Sequence, residues 1–438
     1  MFLDLKIKFI EKIFKIIIFL PIISFFLGFY FNENSAGAGG YQGDISWIKS
    51  NINIFLENNI LKATLHPDFF GNRTPLIYIL QKIFNPFFGN YEMYRITSFL
   101  ISLIGPIIFY QLLKEKFYSV EKGILFLIAS LIYLSPYYRT SAYWGLNENY
   151  GIITTITSFY YLFKVFEASK FKLSNLFLLI IFSSLSVYFD LKLAFVPLLS
   201  FLIILFSKYN YKLKLFVFFG YAILSIPYLL LIIYWGGLVP VKTQYINTNT
   251  ITSFEDINKL YFIHIGYAAT LIGFYILPIV LFTTKDILNS LKNMWLRKES
   301  KYFLILVGIF IIYHFCFFDF KKFTITDYWI GLGIVHKFSN IVTNKIIYRE
   351  IITYVFFFFS FMLILYYYFL NKINLIYLSY FLFISLLLWP LMQEYFDPII
   401  LIVAFSLFKS LKYFNKKNTF IIFLYYSFFL IIANIYYF

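Results

Sequence analysis

Long apolar stretches separated by short polar segments follow one another along the whole of this 438-residue chain. About thirteen of them approach the roughly 20 residues that an α-helix needs to cross the hydrocarbon core of a bilayer. Continuous runs of this kind predict helices, because the strands of a membrane β-barrel alternate apolar and polar residues over about 10 positions. The predicted spans are 12–31, 93–113, 120–136, 149–166, 173–190, 191–207, 214–234, 263–283, 302–318, 350–370, 374–391, 398–408 and 419–437.

The composition supports this interpretation, since 61% of the residues are hydrophobic and only 13% are charged. Soluble domains contain about 45–50% apolar and about 25% charged residues. A globule of this length could not bury so much apolar surface, which excludes a soluble enzyme, a coiled coil and a disordered chain. We therefore predict an all-α, polytopic membrane protein of about 11–13 transmembrane helices. The single cysteine, Cys316, excludes an intrachain disulfide and a cysteine-built metal site.

The formal net charge of +16 indicates membrane topology rather than nucleic-acid binding, because the basic residues cluster between the apolar runs. When the N-terminus is placed in the cytoplasm, the loops on that side are short and rich in Lys. The positive-inside rule leads one to expect this Lys distribution. Most acidic residues then fall on the opposite side. No P-loop or Rossmann glycine pattern occurs. Any chemistry is therefore predicted on the outer face or within the membrane.

The first outer loop, 32–91, is the most informative polar segment. A Gly-rich turn leads to Asp44, which precedes a predicted amphipathic helix over about 45–61 that would lie on the outer leaflet. Two roles for Asp44 remain open: an N-cap of that helix, or a carboxylate at the membrane boundary that acts as a general base. The apolar stripe of this helix is predicted to consist of Ile45, Ile48, Ile52, Phe55, Leu56 and Asn59.

Further charged residues follow in the outer segments. The first loop continues through His66, Asp68 and Arg73, and the segment 135–150 carries Arg139 and Glu148 beside an apolar edge. An arginine at such a position can bind a phosphate with two parallel hydrogen bonds. The alternative interpretation of 135–150 is a surface turn with an aromatic belt.

Two later outer loops, 235–262 and 319–349, and their edges supply cations that together would form a rim for a lipid phosphate. Singly, each is a solvated loop charge. His314 lies inside an apolar run, where an imidazole more often makes a hydrogen bond between helices than binds a ligand. The segment 389–398 is predicted to be a tight outer hairpin with two carboxylates. The rim residues are Lys242, His264, Lys321, Lys322, His336 and Lys337.

This layout resembles the GT-C superfamily of membrane glycosyltransferases, which includes protein O-mannosyltransferases, aminoarabinose transferases and lipid-linked-oligosaccharide glucosyltransferases. Asp44 stands where the acidic residue of the family's first outer loop stands. His66-Pro67 and Thr74-Pro75-Leu76-Ile77-Tyr78 resemble a split form of the family's His-Pro-Pro-Leu stretch. Glu394-Tyr395-Phe396-Asp397-Pro398 is similar to the family's Arg-Tyr-Phe-x-x-Pro turn, without the Arg. The resemblance is closest over 1–166.

The resemblance implies one integral membrane domain over 1–438, with a GT-C-like module over 1–234 and C-terminal helices over 235–438. It implies a polyprenyl-phosphate-linked sugar donor, no cofactor, and a lipid, glycan or protein acceptor at the outer face of a bacterial cytoplasmic (inner) membrane. A divalent metal stays open. Asp44 would be the general base, with Glu148 as a second catalytic candidate. The implied substrate-binding residues are Arg73, Arg139, Lys242, Lys321, His66 and Asp68.

Two other functions compete with this one. A transporter or lipid flippase predicts internal repeats, paired helix breakers and charges at the membrane midplane. No repeat is evident, and most acidic residues lie in the outer loops. A sugar-polymer polymerase or ligase would favour a large late outer loop with several Arg, whereas 319–349 contains only Arg349.

Overall fold

The computed structural model describes residues 14–36, 44–71, 73–167, 172–246, 260–283, 289, 300–317, 333–387, 391–408 and 414–437. This part of the chain is helical, with a helix content of 81% and no strand. The predicted all-α class is thereby confirmed.

The chain forms two compact units, one made of Met1–Asp256 with Phe423–Phe438 and the other of Ile257–Ile422. In chain order, the α-helices up to Asp256 are α1 Leu20–Tyr30, α2 Ile45–Glu57, α3 Ile60–Thr64, α4 Leu76–Phe84, α5 Tyr91–Ser102, α6 Ile104–Lys116, α7 Lys122–Ser130, α8 Pro136–Trp144, α9 Glu148–Glu167, α10 Leu173–Phe189, α11 Phe195–Leu205, α12 Tyr211–Trp235 and α13 Val241–Ile246. Those that follow are α14 His264–Ile276, α15 Ser300–Phe317, α16 Gly333–Val342, α17 Ile346–Leu370, α18 Lys372–Ser385, α19 Ile399–Leu407 and α20 Lys416–Tyr437. The 3₁₀ turns are Leu131–Leu134, Leu191–Ala194, Leu277–Phe282 and Gln393–Tyr395.

Among the described residues, five helices are long and apolar enough to cross a membrane. Shorter apolar helices of 10–17 residues accompany them. The predicted span 191–207 consists of a 3₁₀ turn followed by α11, so it is shorter than its apolar run indicates. The predicted number of spans therefore stays a prediction. The five long helices are Tyr91–Lys116, Tyr211–Trp235, His264–Phe282, Ile346–Tyr366 and Lys416–Tyr437.

The segment before α9 is the part of the first unit that positions charged side chains. Ser135 begins α8 by accepting the backbone N–H of Tyr138 at 3.0 Å. Gly145 ends that helix with φ +76°, a conformation that favours glycine. The chain then turns, and Glu148 falls in the first turn of α9. The described residues 131–150 are all buried, so the surface turn considered for 135–150 is wrong.

The predicted amphipathic helix of the first outer loop is present but shorter. α2 ends at Glu57 because Asn58 is extended, and the Asn59 side chain then caps the short helix α3 by accepting the Lys62 N–H. One continuous helix over 45–61 is therefore wrong. The buried face of α2 packs against α4. Ile45 and Leu56 of the predicted stripe are not part of this face, whereas Asn51 and Ile54 are. Its members are Ile48, Asn51, Ile52, Ile54 and Phe55.

In the second unit, α14 packs against α17 and α18. Gly273 permits the close approach of α17, since a Cβ at this position would overlap Ser360. His264 is fully buried, and its Nδ1 lies 3.1 Å from the Ser385 carbonyl oxygen. The prediction that His264 belongs to a solvated rim is therefore wrong.

Candidate functional site

An ion pair joins Arg73, within the predicted first outer loop, to α9. The Arg73 guanidinium donates to Oε1 of Glu148, whose side chain is 4% exposed, whereas the Arg73 side chain is 21% exposed. Glu148 lies in the first turn of α9, where the helix dipole stabilises a negative charge. Its Oε2 atom is also buried and accepts no hydrogen bond from the described residues. Glu148 thus holds Arg73 in place while part of the guanidinium side chain reaches the surface.

The backbone next to this ion pair is held by a hydrogen bond to the end of α10. Thr74 is buried, and its Oγ1 donates to the Tyr188 carbonyl oxygen at 2.6 Å. Pro75 then begins α4. These contacts fix the chain directly after Arg73.

Asp44 lies near the same region. It occupies the N-cap position of α2, but its side chain makes no capping hydrogen bond, so the predicted cap is correct in position only. Burial raises the pKa of Tyr78 to about 12, and the Asn51 side chain, which donates to the Tyr78 hydroxyl at 3.1 Å, lowers it. The Arg73 charge lowers the same pKa and the Asp44 charge raises it. Asp44 and Arg73 are therefore both within electrostatic reach of one hydroxyl.

Three further predicted residues meet on the exposed surface of the first unit. Lys242 Nζ lies 3.1 Å from Oδ1 of Asp68, with side chains that are 32% and 63% exposed. The backbone N–H of Asp68 donates to Nδ1 of His66 at 3.1 Å. Lys242 also lies 5.8 Å from the ring centroid of Trp47 in α2. The structure thus brings His66, Asp68 and Lys242 together, next to the helix that Asp44 begins.

The loop that carries Arg73 is also tied to α13. The Gly71 N–H donates to Thr243 Oγ1 at 3.0 Å, and the Thr243 hydroxyl lies 3.2 Å from the Gly71 carbonyl oxygen. Gly71 lies two residues before Arg73, and Thr243 directly follows Lys242. The contact between Gly71 and Thr243 therefore brings together the segments that carry Arg73 and Lys242. The arrangement places Arg73, Glu148, Asp44, His66, Asp68 and Lys242 around the first outer loop.

Arg139 does not join this group. It is 2% exposed and makes five hydrogen bonds: two to Glu33, two to Ser24 and one to the Tyr133 carbonyl oxygen. A guanidinium has five N–H donors, so the protein itself engages all of them. The predicted contact of Arg139 with a phosphate is not supported by this environment. Glu33 is therefore the acidic partner of Arg139.

The remaining rim predictions concern the second unit. Lys321 and Lys322 lie outside the described residues, as does the side chain of His336. Lys337 lies in α16, where burial lowers the pKa of its ammonium group to about 8. These observations leave a phosphate rim formed by the later loops as a prediction.

Sequence reasoning missed two residues at the edge of the site. Asp190 ends α10 and is 5% exposed, and its Oδ2 lies 3.3 Å from Nζ of Lys192. A Cβ placed on Gly151 in α9 would lie 3.4 Å from the Cβ of Asp190, so this turn packs against the helix that Glu148 begins. The sequence signal that could have identified them is an acidic and a basic residue two positions apart between two apolar runs.

No protein-family model, no curated protein and no solved structure matches this chain.

Proposed function

We propose that this chain is an integral membrane glycosyltransferase that moves a sugar from a polyprenyl-phosphate-linked donor to an acceptor at the outer face. The observation that carries the proposal is the partly exposed Arg73–Glu148 ion pair, which lies directly before α4, the helix against which the helix begun by Asp44 packs. A transferase of this kind needs a carboxylate that accepts a proton and a cation that binds the leaving phosphate. Both groups stand on the loop that the GT-C resemblance assigns to the active site.

The exposure of the three charged residues supports a different role for each of them. Asp44 is half-buried at the N-cap position of α2, so its carboxylate is partly accessible, and it is the candidate general base. Arg73 reaches the surface and is the candidate for the donor phosphate. Glu148 is buried against Arg73, which makes it a positioning residue for that guanidinium rather than the base. His66, Asp68 and Lys242 stand at the more exposed side, where an acceptor would approach.

The transfer step needs no cofactor. The acceptor hydroxyl oxygen bonds to the anomeric carbon while the bond from that carbon to the phosphate oxygen breaks. The hydroxyl proton passes to the Asp44 carboxylate, and the electron pair leaves with the polyprenyl phosphate, whose charge Arg73 stabilises. A base on the face opposite the leaving group gives inversion at the anomeric carbon.

The first experiment measures transfer of radiolabelled sugar by the detergent-purified protein. The donors are polyprenyl-phosphate-linked sugars, and the acceptor is a lipid extract of the cell envelope. We expect Asp44→Asn to lower kcat at least about a hundredfold, the size of a lost general base. Glu57→Gln is the matched control, because Glu57 is an exposed acid at the other end of α2. It should leave the rate unchanged.

The proposed positions of Arg73 and Glu148 predict a different kinetic pattern. Arg73→Gln should raise the KM for the donor and lower kcat, since the phosphate is held in both the ground state and the transition state. Glu148→Gln should mainly raise KM, because it acts through Arg73. An unchanged rate in Asp44→Asn would remove the assigned base but keep the class. A wild-type protein that consumes no donor would overturn the transferase, and lipid or glycan flipping in proteoliposomes would then be measured as the alternative function.

A further inference from the structure

The first unit contains a second acid–base pair built like the first. In both pairs a nearly buried carboxylate holds a cation that is partly exposed: 4% and 21% for Glu148 and Arg73, 7% and 18% for Asp190 and Lys192. Oδ1 of Asp190 also accepts the backbone N–H of Lys192 at 3.1 Å, which fixes the carboxylate in the turn. The Lys192 ammonium extends towards Tyr137, 5.8 Å from its ring centroid.

The two pairs are connected through two direct contacts. The residue after Arg73, Thr74, donates to the carbonyl of Tyr188, two positions before Asp190. One helical turn after Glu148, Gly151 packs against Asp190 and the buried Leu193. Both pairs therefore sit where α9, α10 and the loop before α4 meet.

The position of Lys192 indicates what it binds. It lies in a four-residue 3₁₀ turn between the apolar helices α10 and α11. A lysine between two apolar helices is at the level of lipid headgroups, where its charged end stays at the polar boundary. An ammonium has three N–H donors, so it can contact its carboxylate and a phosphate at the same time.

From this arrangement we infer that Lys192 is a second cation for the phosphate of the lipid-linked substrate, acting beside Arg73. The inference rests on the proposed function, which supplies the first phosphate contact. The two carboxylates, Glu148 and Asp190, hold the two cations through their ion pairs. A phosphate held by cations from two separate segments is fixed in orientation as well as in position.

The test measures binding of a short-chain polyprenyl phosphate to the full-length protein in nanodiscs of zwitterionic lipid. We expect Lys192→Gln to weaken the Kd about tenfold, the effect of one charge-assisted hydrogen bond. Lys192→Arg should stay within about threefold of wild type, since it keeps the charge. A melting temperature for each variant separates loss of the contact from loss of the fold. If Lys192→Gln unfolds, Lys192→Met, which also removes the charge and keeps the apolar stem, is measured in its place, and wild-type affinity in that variant would overturn the inference.

Each outcome separates this inference from the proposed function. Wild-type affinity in Lys192→Gln together with weakened binding in Arg73→Gln overturns the role of Lys192 and leaves the proposed function standing. No binding by the wild-type protein overturns both. Competition by phosphatidylglycerol at the same concentration as polyprenyl phosphate would identify bulk phospholipid as the ligand and overturn the substrate assignment, as would equal competition by inorganic phosphate.

Discussion

Arg139 donates hydrogen bonds to both carboxylate oxygens of Glu33, 106 residues earlier in the chain. Two carbonyl oxygens, those of Ser24 and Tyr133, accept the guanidinium's other bonds together with the Ser24 hydroxyl. Asn434 of α20 also lies near, with Nδ2 3.3 Å from Oε1 of Glu33. This pair connects α1, α8 and the last helix inside the first unit.

Removing one member of this pair should destabilise the first unit severely. Arg139→Ala leaves Glu33 as a largely buried charge with no cation, and such losses amount to about 3–5 kcal/mol of unfolding free energy. Arg139→Lys should not restore stability, because an ammonium cannot form the two parallel bonds. The measurement is unfolding of the detergent-purified protein in a denaturing-detergent titration. A wild-type transition in Arg139→Ala would contradict the structural role of the pair.

A glycine beside the pair makes a sharper test that leaves every charge in place. A Cβ on Gly28 would overlap Nη2 of Arg139, Oε2 of Glu33 and the Tyr143 hydroxyl. We expect Gly28→Ala to lower the unfolding free energy by about 1–3 kcal/mol, as overpacking does. Gly308→Ala is the matched control in another apolar helix, since nothing lies within 4 Å of its added Cβ. Equal stability of the two variants would show that the Gly28 site is looser than described.

The helical class could be predicted from the sequence because membrane-spanning segments are apolar throughout. Such segments can be recognised without knowing which residues contact one another in the fold. The sequence could not predict which charges meet. Arg73 and Glu148 were each selected as candidates, but nothing in their spacing indicates that they pair. Arg139 looked like a phosphate ligand for the same reason: a periodic pattern does not reveal a partner 106 residues away.

Local polar chemistry explains the other differences. The helix predicted over 45–61 ends early because Asn58 is extended and Asn59 caps a new helix, a competition that apolar periodicity does not report. Nothing in the sequence distinguishes Lys192, because a lone lysine between two apolar runs carries information about topology only. The proposed role of Lys192 depends on the packing of Asp190 against Gly151, a tertiary contact that the sequence does not reveal.

The interpretation of His314 as a residue bonded between helices is confirmed, since its Nδ1 lies 2.7 Å from the Tyr354 hydroxyl of α17. Tyr354→Phe removes this hydrogen bond and keeps the aromatic ring. We expect a loss of about 1 kcal/mol in the stability of the second unit. Tyr348→Phe is the control, because Tyr348 is exposed in the same helix. Thermal unfolding of the purified variants decides the matter, and identical melting temperatures would contradict a stabilising bond.

The Asp68–Lys242 pair should contribute little to stability, because the Asp68 side chain is 63% exposed. Exposed pairs are worth about 0–1 kcal/mol. We expect Lys242→Gln to melt within about 2 °C of the wild-type protein at moderate salt. If the proposed function holds, the same variant should nevertheless raise the KM for an anionic acceptor. A large loss of stability in Lys242→Gln would show that this surface is structural rather than part of an acceptor site.

The predicted orientation can be tested at two exposed positions of the first unit. In a Cys316→Ser background, Glu57→Cys places a thiol on the first outer loop, and Tyr118→Cys places one in the turn between α6 and α7. Tyr118 is 89% exposed and is flanked by Lys116 and Lys122, so the positive-inside rule assigns it to the cytoplasm. A membrane-impermeant maleimide should label Glu57→Cys in intact cells and Tyr118→Cys only after permeabilisation. The reverse pattern would place the Arg73–Glu148 region in the cytoplasm, where the proposed outer-face transfer could not take place.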